Sequence, residues 1–501
     1  MKSLSLLLLL SLCSLFSCQK KEEALPNIIY ILADDLGIGD VSAFNSSSLI
    51  KTEHIDKLAA EGVRFTDAHS GSAVCTPTRY GILTGRYSWR GTLKKGVTWS
   101  YDKPIIEPER LTVASLLQNS GYETACIGKW HLGMNWAPAD SGDIPVDFSG
   151  KLTPSPNANG FDYFFGIPAS LDIPPYVFVE NDGVTALPDR MTEDKSEFGW
   201  WRLGPTGADF QHREVLPTFF GKAKSFVSEK RDKPFFLYLP LSAPHTPILP
   251  DEQSKDKSQL NEYADFVLMT DRLIGELMTV LEKEGLDSNT LIVFASDNGC
   301  APYADVKGLE EMGHHPSMNY RGYKADIYEG GHRIPMIVKW KGHFEAGKTV
   351  EATNCLTDFM ATVADLTGTT IPENAAEDSF SLLPLLTGNG QFMRKNTIHH
   401  SVEGNFAMRQ GDWKLIMAPG SGGWSYPKPG AEPEGAPAAQ LFNLKADPGE
   451  QENLVEKEPE KFLAMRSQLL ETIRNGRSTP GSPQPYVKSE NWPGMEWASG
   501  L

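Results

Sequence analysis

The segment NIIYILADDLG, residues 27–37, carries the reading of the fold. Ile28 to Ala33 is an unbroken apolar run that ends abruptly in two carboxylates, Asp34 and Asp35. Such a run, without polar alternation and bounded by turn residues, is the mark of a strand covered on both faces. The pattern recurs at Thr124 to Ile127, Phe235 to Leu239, Leu291 to Ala295 and Met336 to Val338. Helical spacing lies between these runs. Leu111, Ala114, Ser115 and Gln118 precede Gly121, and Phe266, Met269, Leu273, Leu277 and Leu281 precede Gly285, a glycine placed to stop a helix. Strands alternating with helices predict an α/β fold with a mixed, mostly parallel sheet sandwiched by helices.

The texture changes after Leu386. Ile398 to His400, Phe406 to Arg409 and Trp413 to Met417 read as short strands, and a Gly/Pro-rich loop from Pro419 to Pro437 leads to a further run at Gln440 to Leu444. Pro459 to Arg474 has helical spacing. This predicts a small antiparallel subdomain with a closing helix over 387–480, after a main domain over 27–386 and before a C-terminal tail over 481–501.

At the other end, Lys2 precedes a Leu-rich run to Phe16 that is too short to span a bilayer. Residues 1–18 read as a lipoprotein signal peptide whose end, Leu15-Phe16-Ser17-Cys18, is similar to a bacterial lipobox. Cys18 is then the lipidated residue and 19–26 a polar tether. The expectation is an exported bacterial lipoprotein, held to a membrane through a lipid anchor only, facing the periplasm or the cell surface.

With 47 Lys and Arg against 64 Asp and Glu among 501 residues, the formal charge is −17, which argues against a nucleic-acid partner. An anionic ligand needs a local cationic pocket working against that field. Cysteines beyond the leader number four, Cys75, Cys126, Cys300 and Cys355, too few for a disulfide framework. Cys126 and Cys355 lie in apolar surroundings and read as small hydrophobes. Cys75 lies instead in the polar, turn-prone segment SAVCTPTRYGILTGR.

In open parallel sheets ligands bind beyond the carboxyl ends of the strands. The runs end in Asp34-Asp35, in Gly128-Lys129-Trp130-His131, in Ala243-Pro244-His245 and in Ser296-Asp297-Asn298-Gly299. A single Asp after a strand is more often a cap or turn residue, but four such endings at one edge of one sheet form a constellation. Asp34, Asp35, Asp297 and Asn298 offer hard oxygen ligands, which suit Ca²⁺ or Mg²⁺ rather than Zn²⁺. Lys129, Arg79 and Lys324 add fixed positive charge, while His131 and His245 can move protons. This chemistry fits metal-assisted cleavage of a phosphate or a sulfate ester, and composition does not choose between them.

Cys75-Thr76-Pro77-Thr78-Arg79, with Gly81, Leu83, Thr84, Gly85 and Arg86 after it, resembles the CxPxR and TGR signature of type I, formylglycine-dependent sulfatases. Asp34-Asp35-Leu36-Gly37, Gly128 to Gly133, Ala243-Pro244-His245, Ser296 to Gly299 and Arg321-Gly322-Tyr323-Lys324 before Glu329-Gly330-Gly331 follow in that family's order. The resemblance spans roughly Asn27 to Leu386. It implies the alkaline-phosphatase-like fold and a sulfuric ester hydrolase. It further implies that a maturation enzyme oxidises Cys75 to formylglycine (3-oxoalanine), whose hydrate attacks sulfur. Asp34, Asp35, Asp297, Asn298 and the position-75 side chain would bind one Ca²⁺. Arg79 would hold the formylglycine hydroxyl, Lys129 and Lys324 would contact sulfate oxygens, His245 would protonate the leaving alcohol, and His131 would help expel sulfate and restore the aldehyde.

Substrate recognition is written more faintly. His212, His314, His315, His332 and Arg333 are candidates to face the leaving group, although a hydrogen-bonded or surface histidine is the commoner case. Trp99, Tyr101, Trp136, Trp200 and Trp201 are placed to stack on sugar rings from loops. With the leader, this points to a sulfated carbohydrate outside the cytoplasm, from algal polysaccharide such as ulvan, mucin or glycosaminoglycan, attacked at oligosaccharide ends. Two other readings stand beside it. One is a phosphatase or phosphodiesterase of the same superfamily, which would use Ser or Thr and two metals. The other is a silent glycan-binding lipoprotein.

Overall fold

The computed structural model describes residues 25–142, 144–489 and 492–498. The leader, Cys18 and residues 19–24 of the tether lie outside the described residues. No helix among the described residues is long and apolar enough to cross a membrane.

The strand Asn27–Asp34 is buried along its whole length, as its unbroken apolar run demands. It sits at the centre of a ten-stranded sheet, paired in parallel with Thr290–Ser296 on one side and Phe235–Pro244 on the other. Beyond Phe235–Pro244 come Glu123–Lys129 and Tyr163–Ile167, also parallel, and then the short antiparallel pair Val179–Glu180 and Gly183–Val184. Beyond Thr290–Ser296 the sheet turns mixed: Met336–Lys339 and Val63–Phe65 each run antiparallel to the strand before them, and Lys348–Val350 closes the edge.

Alternate side chains of the central strand feed two cores. Ile29, Ile31 and Ala33 pack with the helices Glu53–Glu61, Val215–Ser228 and Glu262–Lys283. Ile28, Tyr30 and Leu32 pack with Cys75–Thr84, Val113–Asn119 and Phe359–Thr367. Each fully buried aliphatic side chain contributes roughly 1.5–3 kcal/mol, and a charge at Ile31 would forfeit that and bury an unpaired ion as well. The long helix begins where the Asn261 side chain accepts from the Ala264 amide and ends before Gly285, whose φ of +73° is the left-handed stop its sequence predicts. The helix expected from Leu111 begins two residues later, because Thr112 caps it by accepting from the Ser115 amide.

Past the main sheet, Thr397–His400, Phe406–Gln410, Trp413–Ile416 and Gln440–Asn443 form an antiparallel four-stranded sheet, with Pro459–Arg474 packed on it through Met465, Leu469 and Ile473. This core also takes in Tyr87, Trp89 and Cys355 from the main part of the chain. The segment expected as a tail is packed as well: the Val487 amide donates to the Arg90 carbonyl, and the Trp492 ring lies 6.2 Å from that of Trp89.

Candidate active site

The carboxyl ends of the parallel strands converge on one spot. Asp34 closes the central strand, and Asp35 adopts a left-handed φ of +68°, so that two consecutive carboxylates enter the same site. Pairing with Phe235–Pro244 slips here, where Leu32 lies opposite Pro240 but Asp34 lies opposite Pro244. That irregularity brings His245 to the rim. On the next strand Gly128 stands at φ +144°, where a Cβ would lie 1.9 Å from the Pro240 carbonyl oxygen. Glycine there lets the Lys129 backbone close up on its neighbour.

Cys75 is the first residue of Cys75–Thr84, where the exposed helix amides favour negative charge. Arg79, one turn on, faces the same side. It donates to Asp297 Oδ2 at 2.8 Å and to the Lys129 carbonyl at 2.9 Å, and lies 3.6 Å from Asp34 Oδ1. Lys129 Nζ donates to Asp34 Oδ2 at 2.6 Å, and Lys324 Nζ to Asp35 Oδ2 at 2.7 Å. Gly85, in left-handed conformation, ends the helix. Arg86 is scaffolding, paired with Glu107 and Glu377 at 3.1 Å each.

The three carboxylates, Asp34, Asp35 and Asp297, balance Arg79, Lys129 and Lys324 in formal charge. Burial pushes Asp34 up, but Lys129, His245 and Arg79 more than offset it and hold the carboxyl well below the usual range. Burial and the Asp34 charge push Asp297 up to about 7. Asp34 Oδ1 and Asn298 Oδ1 are buried acceptors with no hydrogen-bond partner. Ligand atoms of Asp34, Asp35 and His245 lie within 4.8 Å of one another. Orphaned oxygens beside crowded carboxylates are the surroundings a divalent hard cation relieves, so the donor set fits the metal its sequence implies.

His131 and His245 flank this cluster. His131 Nδ1 is 3.3 Å from Cys75 Sγ, and its Nε2 is 2.9 Å from the Thr98 carbonyl. Burial, then Lys129 and Arg79, keep its pKa well below the imidazole range. His245 Nε2 lies 3.2 Å from Ser170 Oγ and 3.6 Å from Asp35 Oδ2, with its pKa lowered by burial and then by Lys324. The Cys75 thiol itself is pushed up by burial, so as an unmodified cysteine it is a poor nucleophile.

Above the cluster opens a cleft of about 440 Å³ with Cys75, His131, His245 and Lys324 in its floor. Trp99 and Trp200 form part of its wall. The other proposed stacking residues do not: Trp136 is buried against Phe148, Tyr101 packs on the core beneath, and Trp201 stacks on His212 with ring centroids 3.8 Å apart. Among the described residues, none of the five candidates for facing the leaving group lines the cleft. His212 is held between Trp201 and Tyr176. His314 is buried and bonded to Asp40 at 2.8 Å, and His315 is exposed outside the cleft. His332 stacks on His399 in a buried ionic cluster under the small sheet, and Arg333 pairs with Asp67 and Glu329 beside it. For His212, His314, His332 and Arg333 a partner side chain holds the group away from the cleft.

Sequence reasoning missed Ser170, which accepts from Lys129 Nζ at 3.1 Å, and Thr98, which anchors His131. Ser170 follows the parallel strand Tyr163–Ile167, so the rule applied to the other strands applies to it too.

The sulfatase family model matches residues 26–369, and a second, for the C-terminal part of N-sulphoglucosamine sulphohydrolase, matches residues 322–478. The chain is 35% identical over 489 residues to an N-acetylgalactosamine-6-O-sulfatase of Bacteroides thetaiotaomicron, covering 90% of this chain and 93% of that one. Human arylsulfatase A is 31% identical over 490 residues, with 92% and 90% covered. A solved Bacteroides thetaiotaomicron sulfatase described under glycosaminoglycan metabolism superposes with a TM-score of 0.77 at 34% identity, over 90% of this chain and 99% of its own. Likeness along nearly the whole length, together with CxPxR at the head of the buried helix, means that the chain belongs to the sulfatase family and is a sulfuric ester hydrolase.

Proposed function

We propose that the protein removes sulfate from the 6-position of N-acetylgalactosamine or a related sugar at the end of a glycosaminoglycan or mucin fragment, using formylglycine made from Cys75 and one bound Ca²⁺. The observation that carries this reading is the position of Cys75 Sγ, which stands in for a hydroxyl oxygen of hydrated formylglycine. It lies at a helix N-terminus, 3.3 Å from His131, in the floor of an open cleft. Similarity to the Bacteroides N-acetylgalactosamine-6-O-sulfatase supports the choice of sugar.

Asp34, Asp35, Asp297, Asn298 and the position-75 group would hold the ion. When bound, Ca²⁺ supplies positive charge to the ester oxygens and eases ionisation of the nucleophile. Hydrated formylglycine supplies two hydroxyls, one to attack sulfur and one to lose its proton as sulfate departs.

Arg79 is pinned by Asp297 and fixes the position-75 group. Lys129 and Lys324, each already oriented by a carboxylate, hold sulfate oxygens at either side. His131 keeps its proton on Nε2, where it donates a hydrogen bond to the Thr98 carbonyl, so the Nδ1 lone pair faces position 75 as the base for the second hydroxyl. His245, in the lining of the cleft, would protonate the bridging oxygen as the alcohol leaves. The anionic ester beside it favours the protonated imidazole that the empty pocket disfavours. Removing one such stabilising contact typically costs about 3–4 kcal/mol of barrier.

The leader and Cys18 make this an exported, lipid-anchored enzyme in our reading. The chain enters the sheet at Asn27 and the chemistry gathers past Asp34. Labelled palmitate retained by the wild type and absent from Cys18→Ala would support the anchor.

The test is the mass of the tryptic peptide Phe65 to Arg79 from the native membrane fraction, read beside sulfate release from N-acetylgalactosamine 6-sulfate. Aldehyde or its hydrate at position 75 together with sulfate release is the expected result. Intact thiol in an active preparation, or faster hydrolysis of p-nitrophenyl phosphate than of p-nitrophenyl sulfate, overturns it.

A further inference from the structure

Beyond the catalytic floor, one wall of the cleft holds a pair that the reaction does not use. Asp172, on the turn after Tyr163–Ile167, is 8% exposed and lines the cleft, and its Oδ1 is buried with no hydrogen-bond partner. Its other carboxylate oxygen accepts from Arg202 Nη1. Its backbone carbonyl accepts from Arg202 Nη1 at 3.2 Å and from the Tyr176 hydroxyl at 3.1 Å, so the aspartate is held from behind. The Arg202 guanidinium is also pinned, 5.1 Å from the Trp99 ring centroid and 4.7 Å from that of Trp200.

A rigid acceptor beside a rigid donor matches neighbouring sugar hydroxyls, each of which both donates and accepts. A buried unpartnered carboxylate oxygen is costly to leave unmade, which weighs toward a ligand that completes it. The flanking Trp99 and Trp200, with Tyr303 and Trp424 also in the cleft lining, give the flat apolar faces that sugar rings stack on. Charge narrows the ligand further. Asp172 cancels Arg202, and exposed Glu197 is the remaining charged group on this wall. Lys324 and His245, in the floor, face Asp35. Past the sulfate site the wall therefore carries no surplus positive charge for a second anion.

We propose, resting on the sulfatase reading above, that Asp172 and Arg202 read adjacent free hydroxyls of the sulfated sugar, and that this pair selects a sugar whose only charge is the sulfate being removed, rejecting one that carries a second sulfate or a carboxylate.

The experiment compares kcat/KM of the matured enzyme on N-acetylgalactosamine 6-sulfate, on its 4,6-disulfate, and on p-nitrophenyl sulfate, which has no sugar hydroxyls. The wild type favours the monosulfate over the disulfate. In Asp172→Ala and Arg202→Met the preference for the monosulfate over p-nitrophenyl sulfate falls by about ten- to a hundredfold, the scale of a hydrogen bond to a charged group. Asp172→Asn keeps an oxygen but not the charge, and narrows the gap between disulfate and monosulfate. A parallel loss on all three compounds, an unchanged preference, or a wild type faster on the disulfate overturns the inference. If matured wild type releases sulfate from none of them, the sulfatase reading fails by itself. Calorimetric binding of N-acetylgalactosamine 6-sulfate to the full-length chain then decides: weakening by Asp172→Asn sustains the pair's role, and equal binding ends it.

Discussion

His131 presents Nδ1 to Cys75 Sγ at 3.3 Å only because its other nitrogen is spent on the Thr98 carbonyl, 2.9 Å away. A carbonyl accepts and cannot donate, so the proton of the neutral ring sits on Nε2 and the lone pair faces position 75. With its pKa held low by burial, Lys129 and Arg79, the ring is an available base at neutral pH. Its work falls in the second half of the cycle, when sulfate leaves. His131→Ala should lower steady-state kcat by roughly 100- to 10,000-fold while leaving a first-turnover burst of alcohol. Rapid-quench kinetics read both, and a burst lost in step with kcat would place His131 in the first half instead.

His245 has the complementary task, and its effect should depend on the leaving group. An alkyl alcohol needs a proton as it departs, whereas p-nitrophenolate does not. His245→Ala should therefore lower kcat/KM on N-acetylgalactosamine 6-sulfate by about 100-fold or more, and on p-nitrophenyl sulfate far less. The pH profile carries the same signature. Burial and then Lys324 lower the His245 pKa, and the acid is competent only when protonated, so kcat/KM should fall as pH rises, starting below the ordinary imidazole value of about 6.5. A leaving-group dependence identical in the variant and the wild type would remove His245 from this role.

The orphaned Asp34 Oδ1 and Asn298 Oδ1, beside an Asp297 that burial and Asp34 push up to about 7, make a cation a structural as well as a chemical partner. Chelation should lower the melting temperature, and Ca²⁺ should restore it. At a hundred times its dissociation constant a ligand of the folded state contributes about 2.7 kcal/mol. Asp297→Asn should abolish the calcium-dependent part of the shift. A melting temperature indifferent to chelator and Ca²⁺ would reject this ligand set.

Much of this was legible in the chain because it is local. An apolar run that stops at Asp34-Asp35 or at Ser296-Asp297-Asn298 states both a strand and what stands at its end, and Cys75 with Arg79 four residues on places both on one helix face. What could not be read depends on closure across the chain. His314 meets Asp40 across 274 residues, and His332 meets His399 only once the small sheet docks. A histidine in sequence bears no mark of the partner that will claim it. Ser170 and Asp172 were hidden for another reason: Tyr163–Ile167 holds Gly166 within a short aromatic run, and its strand character comes from pairing with Glu123–Lys129.

That docked sheet rests on a buried ionic cluster in which Lys414 is the hub. Its Nζ lies 3.1 Å from Glu329 Oε1 and 2.9 Å from Glu450 Oε1, and all three side chains are fully buried. Arg409 completes the group at 2.6 Å from Glu329 Oε2. Lys414→Met would leave two carboxylates facing each other without their shared cation, and should destabilise the fold by about 3–5 kcal/mol. The pH dependence follows from Glu450, which burial raises to about 7 from its ordinary 4.5. A carboxyl with a raised folded-state pKa binds its proton more tightly when folded, so its contribution is present below the unfolded value and is lost as pH climbs from about 4.5 to about 7. Removing Lys414 takes away a charge that lowers this pKa, so the variant should go on losing stability above about pH 7, where the wild type levels off, and its deficit should widen there. Adding Glu450→Gln removes the titrating group and should recover part of the loss and flatten the profile. Urea melts of the wild type, the single variant and the double variant at several pH values test this. A deficit independent of pH, untouched by Glu450→Gln, would mean that Lys414 acts through packing rather than charge.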